Sequence, residues 1–224
     1  MIKKQFAVVG LGRFGSSLSR ELVKQGYEVL GIDVNEERVN EMSHVLTHTV
    51  LADCTDEEVL RSLGIRNFDC VVVAIGNDIQ ASILTAIVLK DAGVTKVVAK
   101  ALTELHGKVL EKIGVDRIIY PERDMGIRVA HQLVSPNLLD YIELSSEYTI
   151  VELSVPQKLC GNTLHELNPR AKYGCSVVAI IKKSGVIVAP AASDMLEVGD
   201  LMVVIGKNDG IEKFEDELER GSVK

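Results

Sequence analysis

The residues best suited to chemistry lie near the start of the chain. Gly10-Leu11-Gly12-Arg13-Phe14-Gly15 follows the apolar run FAVV (6–9). Glycines at this spacing, between a strand and a helix, make a phosphate-binding turn. Gly10 permits the tight turn, Gly12 lets the backbone approach a pyrophosphate, and Gly15 lets helix and strand pack closely. The helix that follows offers unpaired N–H groups and the positive end of its dipole. Asp33 closes the next apolar run, YEVLGID (27–33), where it would accept hydrogen bonds from ribose hydroxyls and repel a 2′-phosphate. The plainer reading is a packing turn and a surface Asp. The complete strand–loop–helix context outweighs it.

Arg13 is the unusual member of the loop. Backbone dipoles already neutralise a pyrophosphate, so a guanidinium beside them points to more phosphate, or to phosphate reached across an interface. An exposed arginine whose stem covers an adenine face fits the spacing equally well.

More polar groups fall where successive strands are expected to end: Asn35, Asp53-Cys54-Thr55, Ala74-Ile75-Gly76 with Asn77-Asp78, Lys100 and Glu122. Each alone reads as a helix cap or an exposed charge. Together they occupy one rim of one sheet, which is where open α/β sheets bind ligands.

Reaction machinery is absent from the sequence. No tyrosine begins a YxxxK pair, and GxSxG and the Walker A lysine are missing. His44 and His48 are four apart, but the VLT between them lacks the Glu of HExxH. His165 beside Glu166 reads as a surface histidine. A nucleotide site without acid–base groups points to sensing, with a small NAD-dependent oxidoreductase or an NADH redox sensor as the alternatives.

The elements that must hold these residues follow from periodicity. Strands are expected at 6–10, 27–33, 47–53, 69–76, 96–101 and 116–121. Helices are expected at 16–25, from 36, and at 56–63, 79–92 and 104–113. Such alternation makes βαβ units and a parallel sheet. A helix over 124–133, broken by Ser135-Pro136-Asn137, leads to a strand-rich region with a short helix at 163–168. Turns are expected at 183–185 and 198–200. The fold class is α/β: a Rossmann-like doubly wound parallel sheet, a crossover helix, and a small α+β C-terminal domain. The expected boundaries are 1–123 for nucleotide binding, 124–143 for the crossover helix and linker, 144–210 for the second domain, and 211–224 for a polar tail read as a solvated, fraying helix.

The chain has 224 residues, 46% hydrophobic and 25% charged, which suits a folded domain pair with real cores. Its net charge of −7 offers no positive field for nucleic acid. No run approaches the ~20 apolar residues of a membrane span, and MIKKQFAVVG lacks a signal peptide's apolar region and cleavage site. Cys54, Cys70, Cys160 and Cys175 form no CxxC and read as reduced thiols. The expected location is cytoplasmic.

The combination resembles the RCK (also KTN) family, cytosolic regulatory subunits of Ktr/Trk-type potassium-uptake systems. FAVVGLGRFGSSLSREL, GIDVNEERV, LADCTDEEVL, VVVAIGND, VVAKA and RIIYPE follow its N-terminal domain in order. The stretch 159–206 is similar to its C-terminal domain, from the G-x-T-L opening to GD-x-x-x-V-I-G. The retained arginine of GLGRFG looks like a Ktr subunit in particular.

This resemblance implies that Gly10, Gly12 and Gly15 hold phosphates, Asp33 and Asn35 the ribose, and Asp53 and Thr55 the adenine side. It also implies that Arg13 reaches the terminal phosphate of a nucleotide in a neighbouring subunit. Glu122 would lie near the phosphates at a dimer interface, where a cation (Mg, Ca or Na) could bind. The implied ligands are ATP or ADP, with NAD(H) in some members. The implied assembly is a homodimer building an octameric ring on the inner face of the cell membrane, beneath a potassium-translocating membrane subunit. Cyclic di-AMP is the implied effector of the C-terminal domain, with Arg170, Ala171, Ser176, Ile180 and Pro190 as its residues here. Ser176 departs from the Asn of a relative.

Overall fold

A computed structural model describes residues 4–134 and 138–220. The chain divides into two compact units between Arg123 and Asp124, each with its own sheet.

The first unit alternates strands β1 (Gln5–Val9), β2 (Glu28–Asp33), β3 (His48–Leu51), β4 (Cys70–Val73), β5 (Val97–Lys100) and β6 (Arg117–Ile119) with helices. These helices are α1 (Arg13–Lys24), α2 (Glu36–Ser43), α3 (Glu57–Ser62), α4 (Ile79–Asp91) and α5 (Glu104–Ile113). The strands are parallel in the order β3-β2-β1-β4-β5-β6, so the chain reverses direction across the sheet between β1 and β4. Every strand points its carboxyl end to one rim. The nearly continuous apolar strands follow from burial on both faces: all four residues of β4 are buried, as are the last three of β1.

Side-chain caps start most helices. Asn35, Asp56, Asp78 and Thr103 each accept a backbone N–H in the first turn of α2, α3, α4 and α5. Helix α1 differs: its N-cap is Gly12, which has no side chain to give. It begins at Arg13, three residues before the expected position, because the helix grows directly from the glycine turn.

The second unit holds α6 (Pro121–Val134) from Asp124 onward, then β7 (Leu138–Glu143), β8 (Tyr148–Ser154), α7 (Leu164–Leu167), α8 (Pro169–Tyr173), β9 (Ser176–Lys182), β10 (Gly185–Val188), β11 (Leu201–Lys207) and α9 (Asn208–Arg220). Its strands are antiparallel, in the order β10-β9-β11-β8-β7. The expected helix break at 135–137 lies outside the described residues.

Two expectations are corrected here. The stretch to 143, expected as linker, contains β7, because Leu138 enters the core and the strand pairs with β8. The tail, expected as a solvated helix, is packed: Ile211, Phe214 and Leu218 are 3%, 0% and 0% exposed. Their spacing of three and four puts them on one face of α9, against β11 and β8. The surrounding acids had hidden that stripe.

Candidate functional site

A cleft of about 880 Å³ opens along the carboxyl rim of the parallel sheet. That is the size of a small-molecule site, for which about 300–1,000 Å³ is usual. Gly10, Leu11, Gly12, Arg13, Phe14, Asp33, Asp53, Cys54, Thr55, Ala74, Ile75, Gly76, Lys100 and Glu122 all line it. Two expected residues do not. Gly15 is buried beneath the turn, and Asn35 is committed to capping α2, its Oδ1 accepting Arg38 N–H at 3.0 Å.

At two of its three glycines the turn has no room for a side chain. Gly10 has φ +96°, and a Cβ there would lie 3.0 Å from the Ala74–Ile75 peptide. A Cβ on Gly15 would lie 1.9 Å from the Gly10 carbonyl oxygen. At Gly12 the surroundings are open: a Cβ would meet only Arg38 Nη1, at 4.0 Å. With no side-chain cap, the first N–H groups of α1 are available to an anion.

Asp33 is buried, and its carboxylate fastens the turn to β2. Its Oδ2 accepts Leu11 N–H at 2.6 Å and its Oδ1 accepts Asn35 N–H at 2.8 Å. Asp33 itself lines the cleft, and a carboxylate has further lone pairs beyond these two bonds. On the other side of β2, Thr55 donates both its N–H and its hydroxyl to Asp53 Oδ1, at 2.9 and 2.8 Å. Those bonds hold the Asp53 carboxyl below its ordinary value. Cys54 is buried between these carboxylates, and burial first, then the charges of Asp53 and Asp33, push its thiol up to about 12. It stays protonated and inert.

At the far end, Lys100 is buried with its ammonium 2.5 Å from Glu122 Oε1. Gly76 makes room for it, since a Cβ there would be 3.3 Å from Lys100 Nζ. Lysine's hydrogen bond is the main reason the Glu122 carboxyl is held down, with Arg13 adding a smaller electrostatic pull. Arg13 is exposed and forms no ion pair among the described residues.

The residues expected to hold a nucleotide are gathered, with two exceptions, around this one cleft. Glu122 is paired with Lys100, and among the described residues no group of three or more His, Cys, Asp or Glu could hold a metal ion.

The five residues expected to bind an effector in the second unit behave differently. Arg170 and Ala171 are exposed on α8, while Ser176 at the start of β9 and Pro190 after β10 are half-buried. Ile180 is 0% exposed, inside the core opposite Met202. Its side chain is packing and is not offered at the surface of the chain.

Comparison with known proteins decides the family. The TrkA-N domain matches residues 6–121 and the TrkA-C domain matches residues 148–219. The chain belongs to the TrkA-N/TrkA-C, or RCK, family. It is 50% identical over 214 residues to Ktr system potassium uptake protein C of Bacillus subtilis (strain 168), covering 96% of this chain and 97% of that protein. It is 42% identical over 206 residues to Ktr system potassium uptake protein A of Vibrio alginolyticus, covering 92% and 94%. Among solved structures, the GsuK channel bound to NAD shares the fold, with a TM-score of 0.53 at 21% identity. That match covers 98% of this chain and only 39% of the channel chain.

Several residues lining the cleft of this RCK chain were not named from sequence, among them Ser16, Arg38, Glu41 and Gln80. Arg38, on α2, lies 3.5 Å from Asp33 Oδ2 and is half-exposed. Its signal was its place in the first turn of α2, three residues after the Asn35 cap and so beside the end of β2. Among the described residues no helix is long and apolar enough to cross a membrane.

Proposed function

We propose that this chain is a cytosolic, nucleotide-sensing regulatory subunit of a Ktr-type potassium-uptake system, and not an enzyme. The observation that carries the reading is the uncapped start of α1 beside an exposed Arg13 that forms no ion pair among the described residues. Phosphates sit on the helix start, ribose on Asp33, and adenine toward Asp53 and Thr55. The relatives' names as potassium uptake proteins support the transport role.

ATP and ADP share adenine and ribose, so only contacts to the γ-phosphate distinguish them. A ligand shifts a conformational equilibrium by its differential affinity for the two states. If Arg13 of one subunit reaches the γ-phosphate held by a neighbour, ATP favours one shape of a homodimer-based octameric ring and ADP does not. One charge-assisted hydrogen bond contributes about 1.5–3 kcal/mol. Several such sites together exceed the about 5.5 kcal/mol that reverses a 1:99 population. No hydrolysis is needed. The ring would sit on the inner face of the membrane beneath the potassium-translocating subunit. Cyclic di-AMP would bind the second unit through Arg170, Ala171, Ser176 and Pro190.

Thermal-shift profiles with ATP, ADP, NADH and cyclic di-AMP test this. A ligand at about 100 times its Kd stabilises by about 2.7 kcal/mol. ATP and ADP are expected to raise the melting temperature, and cyclic di-AMP to do so separately. A response to NADH alone would move the reading to a redox sensor, for which the cleft has room. Silence from every nucleotide would overturn it.

A further inference from the structure

The cleft holds a second arginine whose place differs from that of Arg13. Asn35 accepts the Arg38 backbone N–H at 3.0 Å, which fixes α2 and the root of the side chain. The guanidinium then lies between two landmarks: 3.5 Å from Asp33 Oδ2, and 4.0 Å from where a Cβ of Gly12 would be. Asp33 is the ribose acceptor and Gly12 is the N-cap of α1, where phosphate is held. A 5′-nucleotide joins these points through its α-phosphate.

Arg38 is available for that contact. Guanidinium carries five N–H donors, and among the described residues its one ion pair is the long contact with Asp33. Asp33 does not depend on it, because its two oxygens already accept the shorter Leu11 and Asn35 N–H bonds. The neighbouring acid Glu41 is paired with Arg20 at 3.2 Å.

We propose that Arg38 binds the α-phosphate of the nucleotide, giving affinity common to AMP, ADP and ATP and leaving discrimination between them to Arg13. This rests on the nucleotide-sensing reading. An interaction made equally with AMP, ADP and ATP raises the occupancy of all three and cannot tell them apart. The two arginines thus divide the work: one holds the ligand, the other counts its phosphates.

The test is isothermal titration of the full chain with AMP, ADP and ATP, with adenosine measured by displacement of a fluorescent ATP analogue. Arg38→Met keeps the apolar stem and removes the charge, and Arg38→Lys restores a charge without the fork. Arg38→Met is expected to weaken AMP, ADP and ATP alike, by about tenfold, as loss of one charge-assisted contact implies. Adenosine should change by less than about threefold. Arg38→Lys should recover part of the loss, and melting without ligand should stay near wild type. Equal weakening of adenosine and AMP would place Arg38 on the ribose and overturn the proposal, as would unchanged AMP binding. A changed ATP/ADP ratio would also overturn it, by making Arg38 the counter. Failure of the wild-type chain to bind any adenosine nucleotide would overturn both this and the reading beneath it.

Discussion

The two units handle their expected ligands in opposite ways. In the first, residues from 10 to 122 converge on one cleft. In the second, the five expected effector residues spread over α8, β9 and the stretch after β10, and one of them is buried in the core. The difference follows from strand direction. Parallel strands all end on the same rim, so a residue just after any strand reaches the same place. Antiparallel strands end alternately on opposite sides, and position along the chain no longer predicts convergence. The first unit therefore gathers its expected residues into one cleft within one chain. The surface expected in the second lacks that internal focus.

Mutations in the two cores should separate the units most strongly. Phe214→Ala is expected to destabilise the second unit by about 4 kcal/mol, since it empties a fully buried aromatic position. ATP binding should survive, because the first unit's cores contain no residue of the second. Calorimetry with and without ATP checks both; loss of ATP binding would break the comparison. Gly15→Val comes next, at about 3 kcal/mol, because its Cβ would collide with the Gly10 carbonyl. It should also abolish the nucleotide-dependent thermal shift while leaving any response to cyclic di-AMP in place.

Asp33→Ala sharpens the claim that one carboxylate both builds and serves the site. It leaves Leu11 N–H and Asn35 N–H without acceptors, at a cost of about 2 kcal/mol. Denaturant melts and ATP titration should show lower stability and binding weakened by at least about tenfold.

The smallest effect concerns acid. The Glu122 carboxyl is held below its ordinary 4.5, first by Lys100. A depressed carboxylate stabilises the fold above its unfolded value, and that contribution is lost as pH falls through the folded value. Its side chain is 66% exposed, so solvent screening keeps the pair below about 1 kcal/mol. The stability difference between wild type and Glu122→Gln should be present at neutral pH and shrink as pH falls below 4.5. A difference that persists at lower pH would assign it to packing.

Much of the first unit is legible in the residues themselves. Alternating apolar runs gave the strands, and GLGRFG with Asp33 located the rim, because glycine geometry and a strand-end acid act locally. Asn35 is ambiguous in the sequence because capping and ribose binding call for the same side chain, and here its Oδ1 caps α2. Arg38 was overlooked for a similar reason: an arginine inside EERV reads as a solvated helix charge. In α9 the acids outnumber the apolar residues, and only their spacing reveals that Ile211, Phe214 and Leu218 share a buried face. Ile180 shows the reverse case, where a matched motif position turns out to be core.

The central claim is that the loop distinguishes ATP from ADP through Arg13. Small-angle scattering of the full chain, with saturating ATP or ADP, tests it in wild type and Arg13→Ala. The account predicts two different profiles for wild type and one shared profile for the variant, with both nucleotides still bound. An Arg13→Ala chain that still gives distinct ATP and ADP profiles would contradict it.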